Sequence, residues 1–358
     1  MTTNNKEKTD LKNLSLDQLV EFVETLGQPA FRGRQIMSWL YRPGITDFEQ
    51  MTDLAKLFRK VLAEHSFFSH FNDPIIERSR DGCVKFGFKL NDGHIVETVL
   101  IPEPDRNTLC ISSQVGCAMK CSFCLTGCMG FKRNLTPSEI VNQVCAVRDF
   151  LLNEPKENLI GPDRVTNLVY MGMGEPLNNT ENVLTSLSII TEQKGLDLAN
   201  RRITVSTCGI VPQIKKLGDR ANVNLAISLH AVDDDTRNQL MPVNNKYSIN
   251  ELLEACRQYP MQKRKRIMFE YILLAGINDS DDEARVLARK LKKIPCKINL
   301  IPYNESPDLP YKSPSRNRVL SFQNILREAR YSVFIRNSRG SDISAACGQL
   351  AGRKDSGL

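Results

Sequence analysis

The chain has 358 residues, of which 41% are apolar and 25% charged, and its 48 Lys and Arg against 41 Asp and Glu leave a net charge of +7. That length and balance describe a globular chain with room for a large domain and a smaller appended one, with a mild basic excess compatible with a nucleic-acid partner. No apolar run approaches a membrane span and the start lacks a signal-peptide apolar region, so the eleven cysteines point to reduced thiols doing metal or redox work in a reducing cytosol.

Residues 1–13 are polar and are expected to fray. Ser15 then caps an amphipathic helix, with Gln18 at the capping-box position and Gly27 as its stop. Further helices are expected over 31–41 and 47–65. This small module carries Arg32, Arg34, Arg42, Lys56, Arg59 and Lys60, a charged face that is either solvated or turned to RNA. Segments 83–90 and 94–101 alternate around Asn91-Asp92-Gly93 and read as a β-hairpin.

From there the rhythm becomes strand, loop, helix, repeated six times. Strands are expected over 109–112, 165–171, 202–206, 224–229, 267–273 and 298–301, and helices are clearest over 137–152, 182–193, 249–259, 281–293 and 315–330. Thr136, Pro137 and Glu139 mark the first of these helices as a capping box with proline at its first position. Six such units imply a parallel sheet with helices outside, either an open barrel or a doubly wound sheet. A further strand, 332–335, leads into a Gly- and Ser-rich tail.

Ligands of parallel α/β folds sit at the carboxyl ends of the strands. On that rim the sequence places a cysteine loop after strand one, Met171-Gly-Met-Gly-Glu-Pro176 after strand two and Ser206-Thr-Cys-Gly209 after strand three. Ser228-Leu229-His230 follows strand four and Pro302-Tyr-Asn304 strand six. The cysteine loop, Gly116 to Gly127, holds Cys117, Cys121 and Cys124 at spacings of four and three. Zinc sites usually use two close pairs of ligands, and no second CxxC pair exists here. Three thiolates in one loop can ligate three irons of a 4Fe–4S cluster and leave the fourth iron open to a substrate.

This CxxxCxxC resembles the cluster motif of the radical S-adenosylmethionine (SAM) enzymes. Cys110-Ile-Ser-Ser-Gln114, Gly130-Phe-Lys-Arg-Asn-Leu135, Met171-Gly-Met-Gly-Glu-Pro-Leu177, Ser228-Leu-His-Ala231 and Ala345-Ala-Cys-Gly-Gln-Leu350 narrow the match. Together they resemble the RlmN/Cfr family of RNA adenine methyltransferases over about residues 29–352. Glu175-Pro176 and His230-Ala231 are similar to its carbon-2 branch, whereas the carbon-8 branch has Ala and Ser there.

The resemblance implies a partial (β/α)6 TIM-type barrel with a small N-terminal helical domain and a β-hairpin extension. The expected boundaries are 1–75 for the RNA-binding accessory domain, 76–102 for the hairpin, 103–342 for the radical SAM core and 343–358 for the C-terminal segment. It implies methylation of carbon 2 of adenosine in 23S rRNA and in tRNA beside the anticodon, with one 4Fe–4S cluster on Cys117, Cys121 and Cys124 and two SAM molecules per turnover. Cys347 takes a methyl group as S-methylcysteine and Cys110 resolves the product through a transient disulfide, with Glu97 as proton acceptor. Gly174, Glu175, Ser206, Ser228, Leu229, His230, Asn304 and Phe123 correspond to the family's SAM contacts. An electron donor such as a flavodoxin, a monomeric state and a cytoplasmic location complete the expectation. A carbon-8 methyltransferase and a non-catalytic iron–sulfur or zinc RNA-binding protein are the rival readings. RNA phosphates have candidate partners in Lys132, Arg133, the run 263–266, Arg316, Arg318, Arg336 and Arg339. Cys128 and Cys208 depart from the family pattern.

Overall fold

The computed structural model describes residues 8–262 and 265–351. Strand β1 (Thr9–Asp10) opens the chain and pairs in parallel with β2 (Ser66–Phe67), on the far side of helices α1 (Leu16–Thr25), α2 (Phe31–Leu40) and α3 (Lys56–His65). The expected fraying is therefore corrected for residues 8–13. Lys12 is buried there, and its Nζ donates to Asn142 Oδ1 at 2.9 Å. The helix expected over 47–65 is also corrected: a short 3₁₀ turn, Phe48–Gln50, precedes α3, and extended backbone at Ala55 (ψ 137°) separates them. Phe48, Met51, Phe58 and Leu62 are all buried across that break. The apolar period survives the interruption, which is why it is invisible in the sequence.

The main sheet has ten strands. Strands β3 (Ile75–Arg78), β4 (Val84–Lys89) and β5 (Ile95–Glu103) form an antiparallel extension that joins β6 (Arg106–Cys110). A small ribbon of β7 (Gln114–Gly116) and β8 (Phe131–Asn134) flanks the one-turn helix α4 (Leu125–Cys128). Helix α5 (Pro137–Asn153) then returns to β9 (Asn167–Tyr170), and α6 (Thr180–Thr191) to β10 (Ile203–Thr207). Next come α7 (Val211–Arg220), β11 (Asn224–Ser228), α8 (Asp234–Leu240), α9 (Ile249–Gln258) and β12 (Ile267–Leu273). Then follow α10 (Asp281–Lys290), β13 (Cys296–Pro302), α11 (Arg316–Glu328) and β14 (Ser332–Ile335).

Strands β6, β9, β10, β11, β12, β13 and β14 run parallel in that order. The expected six β/α units are present, and 332–335 adds a seventh parallel strand. Capping boxes at Thr136/Glu139, Ser248/Glu251 and Ser280/Glu283 fix where the outer helices start, satisfying orphan N–H groups and aiming each helix back along the sheet. One continuous apolar core runs from Leu11 in the N-terminal module to Leu350. No helix among the described residues is long and apolar enough to cross a membrane.

Candidate active site

The cysteine loop leaves the sheet through a tight neck. The Cys117 N–H donates to the Gly130 carbonyl at 3.2 Å, and Gly116 takes φ +71°, where a Cβ would lie 1.8 Å from the same oxygen. Only glycine closes the neck there. Beyond it, Ser122 N–H donates to the Leu240 carbonyl at 3.0 Å and Tyr311 Oη donates to Ser122 Oγ at 2.7 Å, pinning the loop to the barrel rim. Cys117, Cys121 and Cys124 line one cavity of about 170 Å³.

Among the described residues no His, Cys, Asp or Glu group converges on a point as the ligands of a single ion do. Three thiols spread around a shared wall suit a larger group, a four-iron cube with one open iron. Burial pushes the Cys117 thiol up to about 12 and raises Cys121 and Cys124 as well, with neighbouring Cys thiols and Glu175 adding to the rise at Cys117 and Cys121. Bound irons reverse that penalty, because thiolate is the ligand form. Cys128 is exposed at the end of α4 and does not line the cavity.

The same cavity takes in Phe123, Gly174, Glu175, Ser206, Ser228 and His230. Gly174 has φ +95°, and a Cβ there would lie 2.4 Å from the Gln114 side chain, whose Oε1 accepts the Glu175 N–H at 2.8 Å. Glu175 is buried. Its two carboxylate oxygens accept the Leu177 N–H at 3.0 Å and the Cys208 N–H at 2.8 Å. Burial raises its pKa, opposed by those hydrogen bonds, and a ligand ammonium would complete the compensation. The His230 Nδ1 accepts the Ile272 N–H at 3.1 Å, and its ring meets Phe123 edge to face at 5.1 Å. Burial, then Arg237, lowers the His230 pKa to about 3.

Two expected contacts lie elsewhere. The Leu229 side chain is in the apolar core, with its N–H donating to the Glu270 carbonyl at 3.1 Å and its own carbonyl accepting from Arg237 Nε at 3.0 Å. Asn304 is turned to the C-terminal segment: its Nδ2 donates to the Cys347 carbonyl at 3.2 Å, and it lines a second cavity.

Cys347 stands where the two cavities meet. The segment carrying it is strapped at both ends. Asp81 accepts the Gly340 N–H at 2.8 Å and Arg339 Nε at 3.1 Å, while Asp342 accepts Ser79 Oγ at 2.5 Å and the Arg80 N–H at 3.1 Å. At the other end the Leu125 N–H donates to the Gly348 carbonyl at 2.8 Å and Thr126 Oγ1 to the Leu350 carbonyl at 2.6 Å. Cys110, at the end of β6, is buried beside it. Burial and then the Cys347 thiol push the Cys110 thiol up to about 12. Arg336, just past β14, feels both thiols and Glu270. All eleven cysteines are free thiols.

Glu97 is buried on β5. Its carboxylate pairs with Lys85 at 3.3 Å and accepts the Ala351 N–H at 2.9 Å, and it lines neither cavity. Several of the basic residues expected to meet RNA are paired internally: Arg133 with Glu139 and Asp92, Arg318 with Asp281, Arg339 with Asp81. Lys263 and Arg264 lie outside the described residues. Two residues that sequence reasoning missed brace the rim. Arg237 is fully buried and donates to the carbonyls of Leu229, Cys208 and Ser228 and to Asn244 Oδ1. Glu270 lines both cavities, and its Oε2 makes no hydrogen bond among the described residues. An Arg in a short acidic helix and a Glu in an apolar strand carry no motif; only burial reveals them.

Residues 9–67 match the family model described as the ribosomal RNA large subunit methyltransferase N-terminal domain, and residues 111–288 match that of the radical SAM superfamily. The dual-specificity RNA methyltransferase RlmN of Desulfotalea psychrophila is 81% identical over 98% of this chain and 96% of its own length. The RlmN of Geobacter sulfurreducens is 50% identical over 97% and 93%. The crystal structure of a radical SAM methyltransferase from Sphaerobacter thermophilus superimposes with a TM-score of 0.87 at 43% identity, covering 96% of this chain and all of that one. With a three-thiol loop opening on a cavity at the barrel rim and an appended N-terminal module of matching family, the chain belongs to the RlmN family of radical SAM RNA methyltransferases.

Proposed function

We propose that this radical SAM enzyme methylates carbon 2 of adenosine in 23S rRNA, in the peptidyl-transferase region, and in tRNA just 3′ of the anticodon, with Cys347 as methyl carrier and Cys110 as resolving thiol. The observation that carries this reading is that Cys347, which lines the three-thiol cavity, comes within electrostatic reach of Cys110, buried at the end of β6 and far from it in sequence. Carbon 2 of adenine is electron-poor and cannot attack the electrophilic methyl of SAM. A carrier thiol removes that obstacle by taking the methyl itself.

Cys117, Cys121 and Cys124 hold the cluster in this reading. Glu175 and the Ser206 and Ser228 hydroxyls orient SAM, with Phe123 and His230 walling its cavity. When bound, cluster and SAM would supply the one-electron chemistry that activates a methyl group carried on Cys347. Arg336 faces both working thiols. While Cys347 is a thiolate the guanidinium is shared, and once its Sγ carries carbon that negative charge is gone and Arg336 can support Cys110 as the attacking thiolate. Cys110 Sγ then attacks Cys347 Sγ: the S–S bond forms as the Cys347 Sγ–carbon bond breaks. The electron pair leaves with the carbon on the base, which takes up a proton as the methyl group, and exchange with an external thiol as reductant restores both cysteines. Glu97 is the proton acceptor of this scheme, held against the Cys347 segment through the Ala351 N–H. The enzyme works as a monomer in a reducing cytosol, where its thiols persist, and takes electrons from a donor such as a flavodoxin.

The nucleoside mass spectrum of RNA treated with reconstituted enzyme tests the activity; a methyl on carbon 8 instead of carbon 2 would overturn it. Cys347→Ala is expected to yield neither methylated protein nor methylated RNA. Cys110→Ala is expected to trap a covalent RNA–protein adduct through Cys347, and normal turnover by that variant would remove Cys110 from the scheme.

A further inference from the structure

The second cavity is far larger than the thiol relay requires. Its volume is about 980 Å³, and it runs from Cys347 down the concave face of the sheet to the N-terminal ends of β10, β11 and β12. It borders both the first parallel strand, β6, and the last, β14, so it is the open seam of an incomplete barrel. A closed barrel fills this layer with branched apolar side chains. Here the strand register puts Asn299 opposite Glu270 and Lys297 opposite Met268, and all four line the lumen.

Two cations on its walls, Arg201 and Arg202, make no side-chain hydrogen bond or ion pair among the described residues, and a third, Lys297, lies within electrostatic reach of the Glu270 carboxylate. Phe334 joins them, 54% exposed, while its neighbour Val333 is buried. An exposed aromatic ring among cations suits a nucleic-acid strand: phosphates take the cations and a base takes the ring face. An acidic protein would satisfy the cations and leave a lumen that ends at Cys347 with nothing to admit.

We propose that RNA enters the enzyme by this lower mouth. Arg201, Arg202 and Lys297 take backbone phosphates, Phe334 stacks on a base beside the target, and the extruded target base fills the lumen against Cys347 on the side away from the cluster loop. The inference rests on RNA being the substrate and adds the route and the residues that define it. Extruding the base costs stacking energy, and the stacking surface at Phe334 offsets part of it.

The test uses full-length reconstituted enzyme and measures binding of a 23S rRNA fragment and of tRNA across a salt series. For the double variant Arg201→Gln/Arg202→Gln, the slope of log K against log salt is expected to fall by about two, one for each phosphate that is no longer neutralised. Phe334→Ala is expected to weaken binding by about tenfold with the slope unchanged. Methylation of Cys347 from SAM without RNA, read by peptide mass on the same preparations, reports that the variants are folded and their SAM site intact. Wild-type affinity and slope in both variants would overturn the proposed route. So would loss of reduction by a flavodoxin with RNA binding intact, which would assign the mouth to an acidic protein. The position of the methyl group on the base is read separately, on wild-type product. A wrong position there would strike the proposed function and leave the binding results standing.

Discussion

His230 has a backbone φ of +60°, in the left-handed region where Asn is among the few non-glycine residues well tolerated. Its Nδ1 accepts the Ile272 N–H, so its proton lies on Nε2, and burial holds the ring neutral with a pKa of about 3. An unfolded histidine titrates near 6.5. Between those values the unfolded chain binds a proton that the native chain refuses, so stability falls as pH drops below about 6.5. This one residue should cost about 2 kcal/mol between pH 7.5 and pH 5. His230→Asn keeps an acceptor for Ile272 and suits the backbone while removing the titration. Thermal unfolding at the two pH values should show a shallower acid-side loss in the variant than in the wild type. An equal loss in both would mean that His230 is protonated in the native protein.

At the scale of elements, the two cysteines of the proposed relay are positioned by segments of very different kinds. Cys110 ends a strand, whereas Cys347 rides on a strap with no regular structure beyond a 3₁₀ turn at Ser341–Ile343. The strap holds its shape through Asp81 and Asp342, which join it to the turn between β3 and β4. Asp81→Ala should raise hydrogen exchange across 336–351 and slow methyl transfer by about ten- to a hundredfold, because the thiol is misplaced rather than removed. SAM affinity should hardly change, since Glu175 and the other residues proposed to hold SAM belong to other elements. Unchanged exchange in the strap would show that its other end, at Thr126 and Leu125, suffices.

The same contrast explains what the sequence disclosed. Capping boxes and strand periods exposed the barrel, and the CxxxCxxC loop with the Gly-rich and Ser-Leu-His turns exposed the rim, because local geometry demands those residue types. The strap, the Asn304 contact and the buried Arg237 and Glu270 depend on partners distant in sequence, and no local pattern records them. The cationic mouth was obscured for the same reason: Arg133, Arg318 and Arg339 look as free in sequence as Arg201 and Arg202, and only their neighbours separate the two groups.

For the whole molecule, the question is whether the N-terminal module is a separate body. We propose that it is a structural part of the barrel as well as an accessory domain. Lys12 Nζ reaches Asn142 on α5, Asn13 Oδ1 accepts the Ser138 N–H at the start of that helix at 2.9 Å, and Arg148 donates to the Tyr41 carbonyl. These contacts are all made by α5, which carries Gln143 on another side. Gln143 in turn accepts the Ser112 N–H at 2.8 Å, behind the Cys110 strand. The module is thus coupled through a single helix to the strand end that carries Cys110, the proposed resolving thiol. Lys12→Ala strips a buried acceptor of its partner and should cost about 1–3 kcal/mol. If module and barrel melt together, the variant shows one transition, several degrees lower than the wild type, when followed both by far-ultraviolet circular dichroism and by Trp39 fluorescence, since Trp39 reports on the module alone. An earlier fluorescence transition, with the circular dichroism of the barrel retained, would make the module an independent domain and sever the proposed link to Cys110.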